Sequence, residues 1–421
     1  MTAAYTSDLA AALSVDVLDR LQRYVRVNTR STPDRERSPS TPGQLDLGRM
    51  LVDELHTLDL ADATLDQHGY VYATLAGTVP GAPVIGLIAH MDTSPEVSGA
   101  GVQPIVHRDY NGGVIELPKG GTRLDPAAMP ELRTKVGHDI VTASGDTLLG
   151  ADDKAGVAAI MAAVAHLRSN PSLPRPTLRI AFTPDEEIGH GATLFDIGAF
   201  GARCAYTVDG GAQGELQTES FTAVEVRIAI DGVAVHPGHA AGRMVSAARL
   251  ASQLVAQLPS DRLTPETTSG REGFIHLVNM TATPERAELE LIVRDFEEDL
   301  LDSHVELLRN TARQVVGADA RARLHFELTR QYRNMRDYLQ SDRAVAEVAV
   351  EAIKAEGIEP LREPIRGGTD GSRLSEMGLP TPNLFDGGYE FHSVREWASV
   401  QEMAAAAAVL VRLAGLWSRR T

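Results

Sequence analysis

Five short stretches of this sequence carry side chains able to hold cations or move protons. They are His90-Met91-Asp92, Gly150-Ala151-Asp152-Asp153-Lys154-Ala155-Gly156, Thr183-Pro184-Asp185-Glu186-Glu187, Thr207-Val208-Asp209-Gly210-Gly211 and Phe391-His392-Ser393. An imidazole nitrogen suits a borderline metal such as zinc, and a nearby carboxylate can hydrogen-bond the other ring nitrogen and fix its tautomer. A carboxylate has two oxygens, so one acid of the Asp152-Asp153 pair can bridge two cations. Three consecutive acids repel one another. Beside a cation they become favourable, and adjacent carboxylates can divide the work, one binding metal and one taking a proton from water.

Taken singly, each stretch has an ordinary explanation. Acids at a helix start stabilise the helix dipole. A strand-end His can be satisfied by its neighbour, and the chain has 13 His. Three acids are tolerable on a solvated turn. Convergence is what carries weight. In an open α/β sheet, ligands sit beyond the carboxyl ends of the strands, and one sheet would bring these separate strand ends together. Two imidazoles and three carboxylates can hold two Zn²⁺ with one carboxylate shared. Such a site activates water and stabilises a developing oxyanion.

The elements that must position these groups are readable from periodicity. Ser14 reads as an N-cap for a first helix with Val15, Leu18, Leu21 and Val25 at helical spacing. A second helix is expected over 44–58 and a short strand over 70–75. The run 83–89 is continuously apolar, as a strand buried on both faces would be. From 93 to 139 no period lasts, which predicts a long functional or disordered loop. An Ala-rich helix over 157–167 and buried strands over 178–182 and 204–208 follow. Strands alternating with helices predict an α/β domain with a mostly parallel central sheet flanked by helices.

The texture then changes. Alternation with period two over 222–228, 274–281, 287–294 and 322–328, with helices over 246–258 and 300–316, gives the order β-α-β-β-α-β. This predicts a smaller α+β domain over 219–330, inserted as a lid into a catalytic domain of 1–218 and 331–421. Helices over 344–355 and 400–416 close the chain.

Composition bounds the partners. With 421 residues the chain holds two cores. A formal net charge of −17 argues against nucleic acid or an anionic membrane surface. The one cysteine, Cys204, excludes an intrachain disulfide and reads as the start of a buried strand. No basic n-region with an apolar core opens the chain, and no apolar run reads as membrane-spanning, so the expected location is cytoplasmic.

Further stretches join the five: His236-Pro237-Gly238, Ile292-Val293-Arg294-Asp295-Phe296 and Arg366-Gly367-Gly368-Thr369-Asp370-Gly371. By their number and order, through essentially the whole chain, the sequence resembles the co-catalytic zinc peptidases, the family that includes tripeptide aminopeptidases, carboxypeptidase G and aminoacylases. Glu96, Phe391 and Ser393 depart from the family's pattern beside the site. None of them is a ligand position.

The resemblance implies roles. His90 and Asp209 would hold one zinc, Glu187 and His392 the other, with Asp152 bridging and a cis peptide bond after it. Asp92 would orient His90, and Glu186 would be the general base. His236 would stabilise the oxyanion from the lid. Arg294 would grip a substrate carboxylate, and Arg366 would meet a carboxylate or the oxyanion. The implied activity is removal of the N-terminal residue from a tripeptide, and the resemblance allows a homodimer. Two other readings stay open: a related amidase acting on dipeptides or N-acyl amino acids, and a non-catalytic metal-binding protein on the same fold.

Overall fold

The computed structural model describes residues 5–34 and 36–420. Residues 1–4, where a signal peptide would begin, lie outside the described residues. The chain forms two compact units: Met1–Thr218, Asp337–Glu363 and Thr369–Thr421 make the first, Glu219–Arg336 and Pro364–Gly368 the second. The expected boundary at 330 falls short, because backbone pairing continues past it. Asn334 accepts from the Ser220 N–H and donates its own N–H to Thr222 Oγ1, both at 3.1 Å. The Phe221 N–H reaches the Ile365 carbonyl at 3.0 Å, which returns 364–368 to the second unit.

Strands β1 (Thr64–Leu65), β2 (Val71–Leu75), β3 (Ile85–His90), β4 (Leu178–Thr183), β5 (Cys204–Gly210) and β6 (Leu216–Gln217) precede the insertion. The insertion holds β7 (Thr222–Asp231), β8 (Phe274–Ala282), β9 (Arg286–Asp295) and β10 (Arg323–Tyr332), and β11 (Asn383–Phe385) follows it. In the first unit the strands lie in the order β1-β2-β4-β3-β5-β11-β6. The pairs β4·β3, β3·β5 and β5·β11 are parallel, while β1·β2, β2·β4 and β6·β11 are antiparallel. The sheet is therefore mixed, parallel only at its centre. Every residue of β3 is buried, as its apolar run demands.

Seven helices matter here: α1 (Asp8–Tyr24), α2 (Pro42–Thr57), α3 (Ala151–Ser169), α4 (Ala247–Gln257), α5 (Glu298–Val316), α6 (Arg343–Ala355) and α7 (Val400–Trp417). Helix α1 begins earlier than expected. Its cap is Ser7, whose hydroxyl accepts from Ala10 N–H at 3.1 Å, while Ser14 is buried within the helix and bonds the Ala11 carbonyl. The buried face is Ala10, Leu13, Val17, Leu21 and Tyr24, so Val15 points to solvent at 76 % exposure. Helix α7 is long and apolar enough to cross a membrane by length and composition alone, with mean hydropathy 1.3. It is instead a core helix, 83 % buried within the protein.

The stretch read as a loop is also structured. Ile105–His107 and Ile140–Thr142 pair antiparallel, and Trp397–Ser399 and Gly388–Tyr389 extend them into a second four-stranded sheet. Tyr110, Ile115, Leu117, Leu124, Leu132 and Trp397 form its core. Strands of two or three residues are too short to show a period.

The second unit is an antiparallel sheet ordered β8-β9-β7-β10. Alternation sorts its faces. Val224, Val226, Ile228 and Ile230 of β7 and Leu289, Leu291 and Val293 of β9 join Leu250 and Leu254 of α4 and Leu301, Val305 and Leu308 of α5 in one core.

Candidate metal centre

Parallel strands β4, β3 and β5 run side by side, so their carboxyl ends come together. Each delivers a motif there. His90 closes β3, Asp209 lies near the end of β5, and Glu186 and Glu187 sit on the 3₁₀ turn Glu186–Ile188 after β4. Asp152 comes from the first turn of α3, and His392 from the turn after Gly388–Tyr389.

The side chains meet as two donor clusters, His90-Asp152-Asp209 and Asp152-Glu187-His392, each with its ligand atoms within 4.8 Å of one another. Asp152 belongs to both. Its Oδ1 is 2.9 Å from His90 Nε2, and its Oδ2 is 3.2 Å from His392 Nε2. Asp209 Oδ1 lies 3.4 Å from His90 Nε2, and Glu187 Oε2 lies 2.8 Å from His392 Nε2. Burial would raise the Asp152 carboxyl, but the His392 and His90 imidazoles beside it hold it below the usual range. His392, bonded to Asp152 and Glu187, is pushed up to about 11.

A surrounding layer fixes these groups. His90 Nδ1 faces the Asp92 carbonyl at 3.1 Å and the Asp92 carboxylate at 3.3 Å. The Asp92 carboxylate in turn accepts the backbone N–H groups of Glu186 (2.9 Å) and Glu187 (3.2 Å). Asp153 accepts from the His90 N–H at 3.1 Å, and the Asp152-Asp153 peptide bond is cis. Asp185 is fully buried and sits in the left-handed region at φ 58°. Its carboxylate takes the Ser40 N–H at 3.0 and 2.9 Å and Gln44 Nε2 at 2.8 Å, and its own N–H meets Gln44 Oε1 at 3.1 Å. Glu396 accepts from Leu149, Gly150 and Asp152 N–H.

The cluster fits a pair of divalent cations. Glu187 Oε1 is buried without a hydrogen-bond partner. Burial, together with neighbouring acids, pushes Glu187 up to about 8 and Asp370 up to about 7. Burial and the Asp209 carboxylate push Glu186 well above the usual range. Buried carboxylates this close need positive charge, and imidazole and carboxylate donors in two sets with one shared acid supply the right ligands for it.

Asp153, Asp185, Gln44 and Glu396 were not singled out as site residues. Asp153 and Asp185 stood inside the motifs, one residue from the groups chosen. Gln44 and Glu396 have no local signal, since their partners lie far off in sequence.

The remaining expected residues belong to the second unit. His236 caps an exposed turn, its Nδ1 accepting from Gly238 N–H at 3.1 Å. Arg294 is the penultimate residue of β9, with its guanidinium 5.9 Å from the Phe274 ring, and its Nε is buried without a partner. Arg366 is held by contacts of its own. Its Nη1 donates to the Gly270 and Glu272 carbonyls, both at 2.8 Å, and its Nη2 to Thr268 O and Oγ1. Its guanidinium also lies over Phe221 and Phe274. These contacts lie within its own unit.

Carboxylates and imidazoles converging at the carboxyl ends of an α/β sheet, around a shared aspartate, define a metal-dependent hydrolase. The model for peptidase family M20/M25/M40 matches residues 148–415. Peptidase T of Geobacillus kaustophilus (strain HTA426) is 46 % identical over 96 % of this chain and 99 % of its own. Peptidase T of Vibrio parahaemolyticus is 44 % identical, also over 96 % of this chain and 99 % of its own. The chain belongs to peptidase family M20/M25/M40 and is a peptidase. Among solved structures, aminopeptidase PepT from Bacillus cereus has the same fold (TM-score 0.75, 22 % identity, covering 96 % of this chain and 99 % of that one). So does the Bacillus subtilis YXEP protein, described as a dinuclear metal-binding peptidase (TM-score 0.65, 17 % identity, covering 96 % and 98 %).

Proposed function

We propose that this chain is a two-zinc aminopeptidase that releases the N-terminal residue of tripeptides. The supporting observation is the shared aspartate: Asp152 turns one oxygen to His90 and the other to His392, with Glu186 on the adjacent turn. His90 and Asp209 would hold one cation, Glu187 and His392 the second, and Asp152 both. Bound there, two such cations supply Lewis acidity that makes water acidic near neutral pH and polarises a carbonyl.

The protein's own groups do the rest. Glu186 accepts the proton of the attacking water and delivers it to the leaving amine. Asp92 holds the His90 ring and, through two backbone bonds, the turn that carries Glu186. His236 stabilises the oxyanion. Arg294 grips the substrate's C-terminal carboxylate. Tripeptide as substrate rests on the family resemblance and on the relatives named peptidase T.

The proposed location is the cytoplasm, where the lone, buried Cys204 stays reduced. The net charge of −17 disfavours nucleic acid and anionic membranes as partners. A homodimer belongs to the same reading, and light scattering decides it.

The test is metal analysis paired with a peptide panel. Two zinc ions per chain and preference for an unblocked tripeptide over its N-acetylated form are expected. Preference for the acetylated form would replace this reading with an amidase acting on N-acyl amino acids.

A further inference from the structure

Helix α3 starts irregularly. Gly150 at its cap has φ 85° and no side chain to offer, and Asp152 and Asp153 depart from helical geometry. The first backbone N–H groups of a helix need partners from elsewhere. Here they find one from the far end of the sequence. Glu396, 1 % exposed, accepts from Leu149 N–H (2.8 Å) and Gly150 N–H (2.7 Å) with Oε2, and from Asp152 N–H (3.0 Å) with Oε1.

Glu396 closes the same short segment that presents His392. That segment touches Asp152 twice: the His392 imidazole meets its side chain at 3.2 Å, and the Glu396 carboxylate meets its backbone at 3.0 Å. Asp152 has to aim two oxygens at two donor clusters, so a small rotation of its backbone would spoil both. The preceding Gly150, at φ 85°, has no side chain with which to brace the segment.

We propose that Glu396 is the positioning residue of the metal bridge, holding 149–152 so that Asp152 serves both cations. This rests on the metal reading above. A residue that orients a ligand is worth about 10–100-fold in metal affinity. A carboxylate that merely capped the helix would affect stability and leave affinity alone.

The test uses Zn²⁺ titration of the full chain against a chromophoric chelator, with the visible spectrum of the Co²⁺ form as a second readout. Glu396→Gln keeps the shape but sets an amide group against N–H donors. Glu356→Gln is the control, another 1 % exposed carboxylate, bonded to Thr6 and Arg412. Wild type is expected to bind two Zn²⁺. E396Q should bind at least one of them about 10–100-fold more weakly, with an altered Co²⁺ spectrum. E356Q should lose thermal stability and keep wild-type affinity.

If E396Q binds two Zn²⁺ with affinity within threefold of wild type, the proposal is overturned. So is it if E396Q stays unfolded in excess Zn²⁺, which assigns Glu396 to helix stability alone. Wild type that binds no Zn²⁺ removes the metal reading itself, a failure distinct from either.

Discussion

The carboxylate of Asp92 receives the backbone N–H of Glu186 at 2.9 Å. The same carboxylate stands 3.3 Å from His90 Nδ1, so one side chain couples a proposed ligand to the proposed base. Asp92→Asn keeps the shape and loses an acceptor, turning an amide group towards an N–H or the imidazole. We expect kcat and Zn²⁺ affinity to fall together, each by about 10–100-fold. Steady-state kinetics and Zn²⁺ titration measure both. A fall in kcat with unchanged affinity would limit Asp92 to the Glu186 turn.

Of the two acids on the 3₁₀ turn Glu186–Ile188, Glu186 is the one that neither donor cluster uses. Its neighbour Glu187 is engaged with His392 at 2.8 Å. Glu186→Gln should therefore cut kcat by about 10²–10⁴-fold, the usual worth of a positioned base, with zinc content near wild type. Glu187→Gln should instead lower zinc content. Wild-type kcat in E186Q would move the proton transfer to another group.

The convergence of these acids was legible because it needs only strand ends and a parallel sheet centre. His90 and Asp209 follow apolar runs whose burial leaves one direction for the ligand to lie. What escaped the sequence depends on through-space pairing. Glu396 and Asp152 are joined across 244 residues, and an isolated Glu before Trp397 carries no pattern. Residues 93–139 hid a sheet because strands of two or three residues have no period. Ser14 offered a cap on type and position, but Ser7 lies where the apolar face of α1 begins. Arg366 donates to the Gly270 and Glu272 carbonyls, partners far off in sequence that its glycine-rich setting does not announce.

Gln44 and Asp185 exchange two hydrogen bonds across 141 residues, and both are fully buried. Asp185 immediately precedes Glu186, and its left-handed backbone sets the direction of the turn. Gln44→Ala leaves a buried carboxylate and an N–H short of partners. We expect a loss of about 1–3 kcal/mol in stability and a lower kcat with little change in KM. Gln44→Glu should do worse, because it sets two buried carboxylates together. Urea unfolding and kinetics on the two variants check this order. Equal behaviour of Q44A and wild type would show that the turn holds without Gln44.

His138 reports on the second sheet through pH. Its Nδ1 lies 2.8 Å from Ser399 Oγ, which joins the former loop to the start of α7. Burial, reinforced by the nearby Lys135 charge and opposed by Asp139, lowers its pKa from 6.5 to about 4. The folded protein therefore keeps His138 neutral while the unfolded chain protonates it first. Its contribution is fully present above pH 6.5 and is lost as pH falls from there towards 4. One such proton changes stability by at most about 1.4 kcal/mol per pH unit. His138→Gln removes the titration, so its stability should decline less steeply than wild type between pH 6.5 and 5. Urea unfolding of both proteins across that window, under the same metal conditions, makes the comparison. Parallel declines would mean that the folded protein protonates His138 as readily as the unfolded chain does.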